Sequence, residues 1–360
     1  MSVFESPAFE GHEAFHAFHD AESGLKCFIA VHSTARGPAA GGCRMWVYEN
    51  EQAAIDDALR LSRAMSFKNA VADIDLGGGK SVIMAGPGAP KSPPLFEAFG
   101  RAVEALGGRY WAAEDVGVSP ADLAHTRRWT RYVAGLEGHP AASGDPSPVT
   151  AEGIRRGIAL CVRRVLGSDM KDVTVAIQGA GHVGAYLAAK LASDGARLVI
   201  TDINTKATAG LAARTGARVV APDEIFDVEA DVFAPCALGG AITVDLLDRL
   251  KGRIIAGGAN NQLADDAAGR AIFDRGMTYA PDFVINGGGI INVAAEIRAL
   301  ERSEALDPNW VEMKVSRLMQ TLEEILERSV VERRPTHEIA IEVAKTRIEA
   351  AKQPPIPPAF

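Results

Sequence analysis

The chain has 360 residues, 47% hydrophobic and 23% charged, with a formal net charge of −8. That length and composition describe a globular protein of two domains, each long enough to bury a core. The acidic balance and the lack of a Lys/Arg block argue against nucleic-acid binding, and no apolar run reaches the ~20 residues of a membrane span. Small-molecule chemistry is the expectation.

The N-terminal stretch is acidic and has no basic region followed by an apolar core, so it does not read as a secretory signal. His12, His16 and His19 stand at offsets that would share a helical face, but no ligand constellation of carboxylates follows them. A surface or pairing segment is expected there, and no metal site. CFIAVHST, residues 27–34, reads as a strand. After GPAAGGCRMW, the stretch NEQAAIDDALRLSRAMSFKNAV spaces Ala54, Ile55, Ala58, Leu61 and Met65 as one helical face. In DLGGGKSVI, residues 75–83, three glycines and a lysine lie between apolar runs. A phosphate-binding loop of the GxxxxGK[ST] type needs glycine where Ile74 stands, so a tight turn is the simpler reading. PKSPPLFEAFGRAVEAL reads as a helix and GGRYWAAEDVG as a short strand and turn.

Periodicity stops over residues 137–153, EGHPAASGDPSPVTAEG, which reads as a hinge or linker. Helix IRRGIALCVRRVLG, strand DVTVAIQG, helix AYLAAKLASDG and strand RLVITDI then form a βαβ pattern that predicts a parallel sheet. Further strand signals lie in ADVFAPCA, RIIAGGA and MTYAPDFVING. Two long amphipathic helices follow, before the proline-rich tail QPPIPPAF, which is not expected to pack as an element. Cys27, Cys43, Cys161 and Cys236 are far apart without CxxC spacing, which suggests reduced thiols in a cytoplasm.

GAGHVG, residues 179–184, lies between the apolar strand and the following helix, and Asp202 ends the next strand. This order gives the pattern chemical meaning. Gly179 allows the tight turn, Gly181 lets a pyrophosphate approach the backbone, and Gly184 lets helix pack on strand. An acid at 202 accepts hydrogen bonds from ribose hydroxyls and repels a 2′-phosphate, which favours NAD over NADP. His182 and Val183 complete the loop. AGGANNQL (256–263) and VINGGGIINV (284–293) are expected to place further backbone at the same sheet edge.

Taken in order, GPAAGGCRMW, MSFKNA, LGGGKSVI, AAEDVGVS, DPSPVTAEG, QGAGHVG, TDIN, APCALGG, AGGANNQL and APDFVINGGGIINVA resemble the glutamate/leucine/phenylalanine/valine dehydrogenase family, and most closely its leucine-specific branch. The resemblance covers about residues 10–300. It implies an α/β fold of two domains, with an N-terminal substrate domain and a Rossmann dinucleotide-binding domain, and C-terminal helices packing back. The corresponding ranges are 1–140, 141–325 and 326–360. It implies NAD(P)-linked, reversible oxidative deamination of an L-amino acid to its 2-oxo acid and ammonia, in a homo-oligomer, with NAD favoured here by Asp202.

Residue by residue, Lys68 resembles the lysine that binds the substrate α-carboxylate, and Lys80 the catalytic lysine that activates water. Such a base needs burial or a nearby cation to favour the neutral amine. Asp115 resembles the carboxylate that exchanges a proton with the substrate amino group and holds Lys80. Gly41 and Gly42 would admit the substrate carboxylate, while Thr150 and Asn261 would orient nicotinamide and amino group, and Ala237 and Leu238 would back the cofactor. The side-chain pocket would be lined by Ala40, Met65, Ala113, Ala134, Ile290 and Val293, which offer no charge to an acidic substrate. Branched-chain aliphatic substrates come first and phenylalanine second, because Ala40 and Ala134 stand where leucine and threonine are usual. A silent dinucleotide-binding module is the alternative, and the intact Lys68, Lys80 and Asp115 argue against it.

Overall fold

The computed structural model describes residues 3–352 other than 87, 89, 90 and 238. Leu238 and the tail QPPIPPAF therefore lie outside the described residues. The chain divides into two units: one takes residues up to Asp145, Asn292–Val311 and the chain from Ala344, and the other takes Pro146–Ile291 and Glu312–Val343. The stretch Asn292–Val311, assigned by the sequence reading to the second domain, thus groups with the first.

In the first unit the elements are β1 (Ala14–Asp20), β2 (Leu25–Ser33), β3 (Ala39–Trp46), α1 (Glu51–Val71), β4 (Gly77–Met84), α2 (Pro93–Glu104), β5 (Tyr110–Glu114) and α3 (Pro120–Thr126). The sheet order is β1-β2-β4-β3-β5, antiparallel from β1 to β4 and parallel among β4, β3 and β5. Both faces of β2 are buried, by period-two alternation. Leu25, Cys27, Ile29 and Val31 pack with Phe96, Phe99 and Val103 of α2, whereas Phe28 and Ala30 pack with Ala54, Ile55, Ala58 and Leu59 of α1. Asn50 caps α1, its side chain accepting from the Ala53 N–H at 2.9 Å.

Two glycine-rich stretches depart from the sequence reading. GPAAGGCRMW contains the strand β3, and LGGGKSVI forms the strand β4 rather than a turn. The cause is close backbone approach. A Cβ on Gly78 would strike the Ser66 backbone in α1, one on Gly41 the Gly79 carbonyl, and one on Gly77 the Ser33 carbonyl. Three glycines in a strand let α1 and the neighbouring strands close on β4.

The N-terminal histidines lie on no helix. His16 and His19 are in β1, and His12 is buried against α1, with Nε2 at 3.0 Å from both the Leu59 carbonyl and Ser62 Oγ. Its ring meets His32 edge-on at 4.9 Å, and His32 Nδ1 lies 2.7 Å from Ser66 Oγ. Burial lowers both imidazoles, aided at His32 by His12 and Arg63, and His32 falls to about 4. An unfolded histidine titrates near 6.5, so between pH 6.5 and 4 the unfolded chain binds more protons than the folded one. Stability is therefore expected to fall as pH drops through that window, by about 2 to 3 kcal/mol from His32. Urea melts at pH 7 and 5 check this, and His32→Gln should flatten the difference.

In the second unit, α4 (Ser147–Leu166), β6 (Thr174–Gln178), α5 (His182–Ser193), β7 (Arg197–Thr201), α6 (Thr205–Thr215), β8 (Arg218–Val219), β9 (Val232–Pro235), β10 (Ile254–Ile255), α7 (Asp266–Asp274), β11 (Thr278–Tyr279) and α8 (Asp282–Ile285) follow in order. The chain then continues as α9 (Gly288–Arg302), α10 (Pro308–Glu332) and α11 (Thr336–Lys352), passing between the units within each of the three. The sheet is parallel throughout the pairs described, in the order β11-β10-β9-β6-β7-β8. The order reverses between β6 and β9. Ligand loops of open α/β sheets gather at such a point, beyond the carboxyl ends of the strands.

Three local expectations change here. α4 begins at Ser147, inside the expected linker, because Pro148 in a first helical turn gives up no needed N–H. MTYAPDFVING is a strand only over Thr278–Tyr279, after which α8 begins. The NGGG run, expected only to bring backbone to the sheet edge, opens α9, where a Cβ on Gly288 would strike the Val149 carbonyl and one on Gly289 would sit 2.7 Å from Thr150 Oγ1. Among the described residues no helix is long and apolar enough to cross a membrane.

Candidate active site

Lys80 shares the α1 face of β4 with Gly78 and Val82, and only 5% of it is exposed. Its ammonium donates to Asp115 Oδ2. Asp115 follows β5 directly and is fixed by its backbone: the Val118 N–H donates to its carbonyl at 2.9 Å, and the Met45 N–H of β3 to the Val116 carbonyl at 2.9 Å. A second cation reaches the same carboxylate oxygen, since Arg44 Nε donates to Oδ2 at 3.3 Å. Burial opposes a charged Asp115, but Lys80 and Arg44 outweigh it and hold the carboxyl below its ordinary range. The group is an ionised acceptor at neutral pH. Arg44 was missed at the sequence level, although it stands two residues after the glycine pair of GGCRMW.

Around this pair, Gly41 and Gly42 lie in β3 opposite Ala112 and Ala113 of β5. Gly42 admits Asp115, whose Cβ would be 2.7 Å from any Cβ at that position. The Met65 side chain of α1 comes up beside Gly41, with Cγ 3.2 Å from where a Cβ would be, and half-buried Lys68 follows three residues on, on the same helical face. The Tyr110 hydroxyl donates to the Gly41 carbonyl at 2.7 Å and lies 2.9 Å from Ser81 Oγ, which fixes the glycine pair from below. Cys43 is fully buried, and burial pushes its thiol up to about 12, so it is not a nucleophile here.

The expected pocket residues divide between the units. Ala40, Ala113 and Ala134 are buried in the first, where the Ala134 N–H donates to the Ala112 carbonyl at 2.9 Å and extends the sheet edge. Met65 and Val293 also belong to the first unit, whereas Ile290 belongs to the second.

In the second unit each loop glycine has its cause. Gly179 has φ 108°, and a Cβ there would sit 2.8 Å from the Cys236 backbone; one on Gly184 would strike the Gly179 carbonyl. Gly181 precedes α5 without a side-chain cap, and a Cβ on it would have nothing within 4 Å. An uncapped helix N-terminus beside open space fits the pyrophosphate of a dinucleotide. Exposed His182 and partly buried Val183 begin α5. Asp202 turns inward as well as outward: Oδ2 accepts from the Ala180 N–H at 2.6 Å and Oδ1 from the Asn204 N–H at 2.8 Å. It therefore ties the loop to the end of β7, a duty the sequence reading did not foresee.

Nearby, the Ala237 backbone nitrogen is 2.9 Å from a Cβ position on Gly179. Asn261 is exposed, in the left-handed region at φ 51°, and its carbonyl accepts from the Gly240 N–H at 2.6 Å. Buried Gln262 holds that loop, donating to the Gly257 and Ala259 carbonyls at 2.8 and 2.9 Å. Thr150, in the first turn of α4, donates to the Pro146 carbonyl at 2.9 Å.

Residues 12–132 match the family described as Glu/Leu/Phe/Val dehydrogenase, dimerisation domain. Residues 200–354 match Glutamate/Leucine/Phenylalanine/Valine dehydrogenase. The chain is 43% identical to a leucine dehydrogenase of Geobacillus stearothermophilus, over 93% of this chain and 90% of that one. It is 38% identical to a phenylalanine dehydrogenase of Bacillus thermotolerans, over 94% and 89%. Its structure resembles that of an L-tryptophan dehydrogenase from Nostoc punctiforme with a TM-score of 0.82 and 36% identity, covering 95% of this chain and 97% of that one.

Proposed function

Since the chain belongs to the glutamate/leucine/phenylalanine/valine dehydrogenase family and is an amino-acid oxidoreductase, we propose that it deaminates a branched-chain aliphatic L-amino acid with NAD, reversibly, to the 2-oxo acid and ammonia. The observation that carries this reading is the ion pair of buried Lys80 with half-buried Asp115 beside Gly41 and Gly42.

Lys68 binds the α-carboxylate as a point charge, and the bare backbone of Gly41 and Gly42 leaves room for it. Asp115, kept ionised by two cations, accepts a proton from the substrate ammonium. A bound nicotinamide dinucleotide supplies the acceptor for the hydride on Cα. Lys80 as the neutral amine takes a proton from water as its oxygen attacks the imino carbon, and returns it as ammonia leaves. In this reading Asn261 and Thr150 orient the reacting groups, Ile290 and Val293 are apolar like the other expected lining residues, and Ala237 backs the cofactor. The residues expected to line the pocket carry no cation for a second carboxylate, which disfavours glutamate. Identity to the leucine dehydrogenase supports the branched-chain choice. Ala40 and Ala134 leave room for phenylalanine as the second reading, since one methylene in such a pocket changes selectivity by only ~1 to 3 kcal/mol.

The matched dimerisation description supports a homo-oligomer, and cysteines without CxxC spacing support a cytoplasmic location. Equal amounts of NADH, ammonia and 4-methyl-2-oxopentanoate from L-leucine and NAD test the reaction, and D-leucine should give none. Asp202 sets the cofactor preference in this reading. Asp202→Ser is expected to raise the NADP-to-NAD ratio of kcat/KM about tenfold, or about 1.4 kcal/mol, while NAD binding weakens as the Ala180 and Asn204 anchors are lost. Equal use of NAD and NADP by the unaltered enzyme would contradict that assignment.

A further inference from the structure

Lys80 and Arg44 meet on one oxygen of Asp115, Oδ2. Arg44 is itself held from behind. Its Nη1 donates to Asp57 Oδ2 of α1 at 2.9 Å, and that carboxylate also accepts from the Tyr48 hydroxyl at 2.7 Å and from Arg60 Nη2 at 2.6 Å. Arg44 and Val82 are paired in register across β3 and β4, so the guanidinium rises on the same sheet face as Lys80.

We infer that Arg44 is a positioning residue that clamps the Asp115 carboxylate and keeps it ionised while Lys80 is neutral. This rests on the roles given above to Lys80 and Asp115. A base that cycles between ammonium and amine withdraws a cation from its partner at each turnover. In a mostly buried site the carboxylate would then gain a proton and lose its use as an acceptor. A guanidinium does not deprotonate in the working range, so Arg44 supplies a constant cation at Oδ2.

The other groups facing the pair do not substitute for it. Cys43 of β3 and Tyr110 of β5 are pushed up by burial and stay neutral, Asp57 is committed to Arg44, Tyr48 and Arg60, and Asp122 of α3 is paired with Lys91 at 2.7 Å. Lys68 is assigned to the substrate carboxylate.

The test compares Arg44→Met and Arg44→Lys with the unaltered enzyme. The expected result for Arg44→Met is a kcat lowered about tenfold or more, with the rising limb of kcat against pH moved up by about one unit. KM for the amino acid should change less, and Arg44→Lys should recover part of the loss. The Asp115 carboxyl, read by infrared difference against Asp115→Asn in 13C-aspartate-labelled protein, should titrate higher in Arg44→Met. That reading needs no turnover, so it decides the inference even where no amino acid is oxidised. An unmoved limb, or an unmoved carboxyl titration, overturns it. Where Arg44→Met does not fold, Asp57→Asn loosens the clamp alone and must shift the carboxyl titration in the same direction; no shift is equally fatal.

Discussion

Lys80→Ala is expected to lower kcat by about 10²- to 10⁴-fold, the range for loss of a positioned base, with dinucleotide affinity unchanged. The separation follows from the architecture. Lys80 sits in β4 of the first unit, whereas Gly179, Gly181, Gly184 and Asp202 belong to the second. Removing the amine deletes the proposed base and leaves Asp115 with Arg44 as its cation. Lys80→Arg should not restore turnover, because a guanidinium keeps its charge throughout the working range. Steady-state NADH formation gives kcat, and quenching of NADH fluorescence gives affinity. A Lys80→Ala enzyme with a normal kcat would remove the base from this account.

The second large effect concerns stability. Glu296 in α9 is fully buried, and its carboxylate accepts from the Gly135 N–H at 2.9 Å, the Leu136 N–H at 3.3 Å, the Ser143 N–H at 3.0 Å and Ser143 Oγ at 2.6 Å. His139 Nε2 lies 3.6 Å away. One side chain thus ties down the segment that follows Ala134. Glu296→Ala would leave three backbone donors without their acceptor, at ~1 to 3 kcal/mol for each that stays buried. The melting temperature is expected to fall by roughly 10 °C or more. Glu296→Gln keeps one carbonyl oxygen as acceptor and should fall between the two. A Glu296→Ala protein melting with the unaltered one would mean that the segment is held by its other contacts.

These two residues also show where sequence reading works and where it stops. GAGHVG was legible because each glycine answers a local demand of a strand-turn-helix unit, a demand written in adjacent residues. Lys80 and Asp115 were legible only through ordered motifs, since a lysine after three glycines has no chemistry of its own. Glu296 was not legible at all: its partner Gly135 is 161 residues away, and nothing near it in the chain signals a buried acceptor. Arg44 was hidden for a related reason, because its two carboxylates come from a helix and from the turn after a strand. The glycines of β4, read as a turn, show the same thing. Glycine runs mark turns when only local conformation counts, whereas here they answer the tertiary approach of α1 and of neighbouring backbones.

The central claim is that this chain oxidises apolar L-amino acids with a lysine base and an NAD cofactor. Its most direct test is kcat/KM, with NAD at alkaline pH, across L-leucine, L-isoleucine, L-valine, L-phenylalanine and L-glutamate. The account predicts the highest values for the three branched-chain acids and none above background for glutamate. No NADH from any L-amino acid would contradict it.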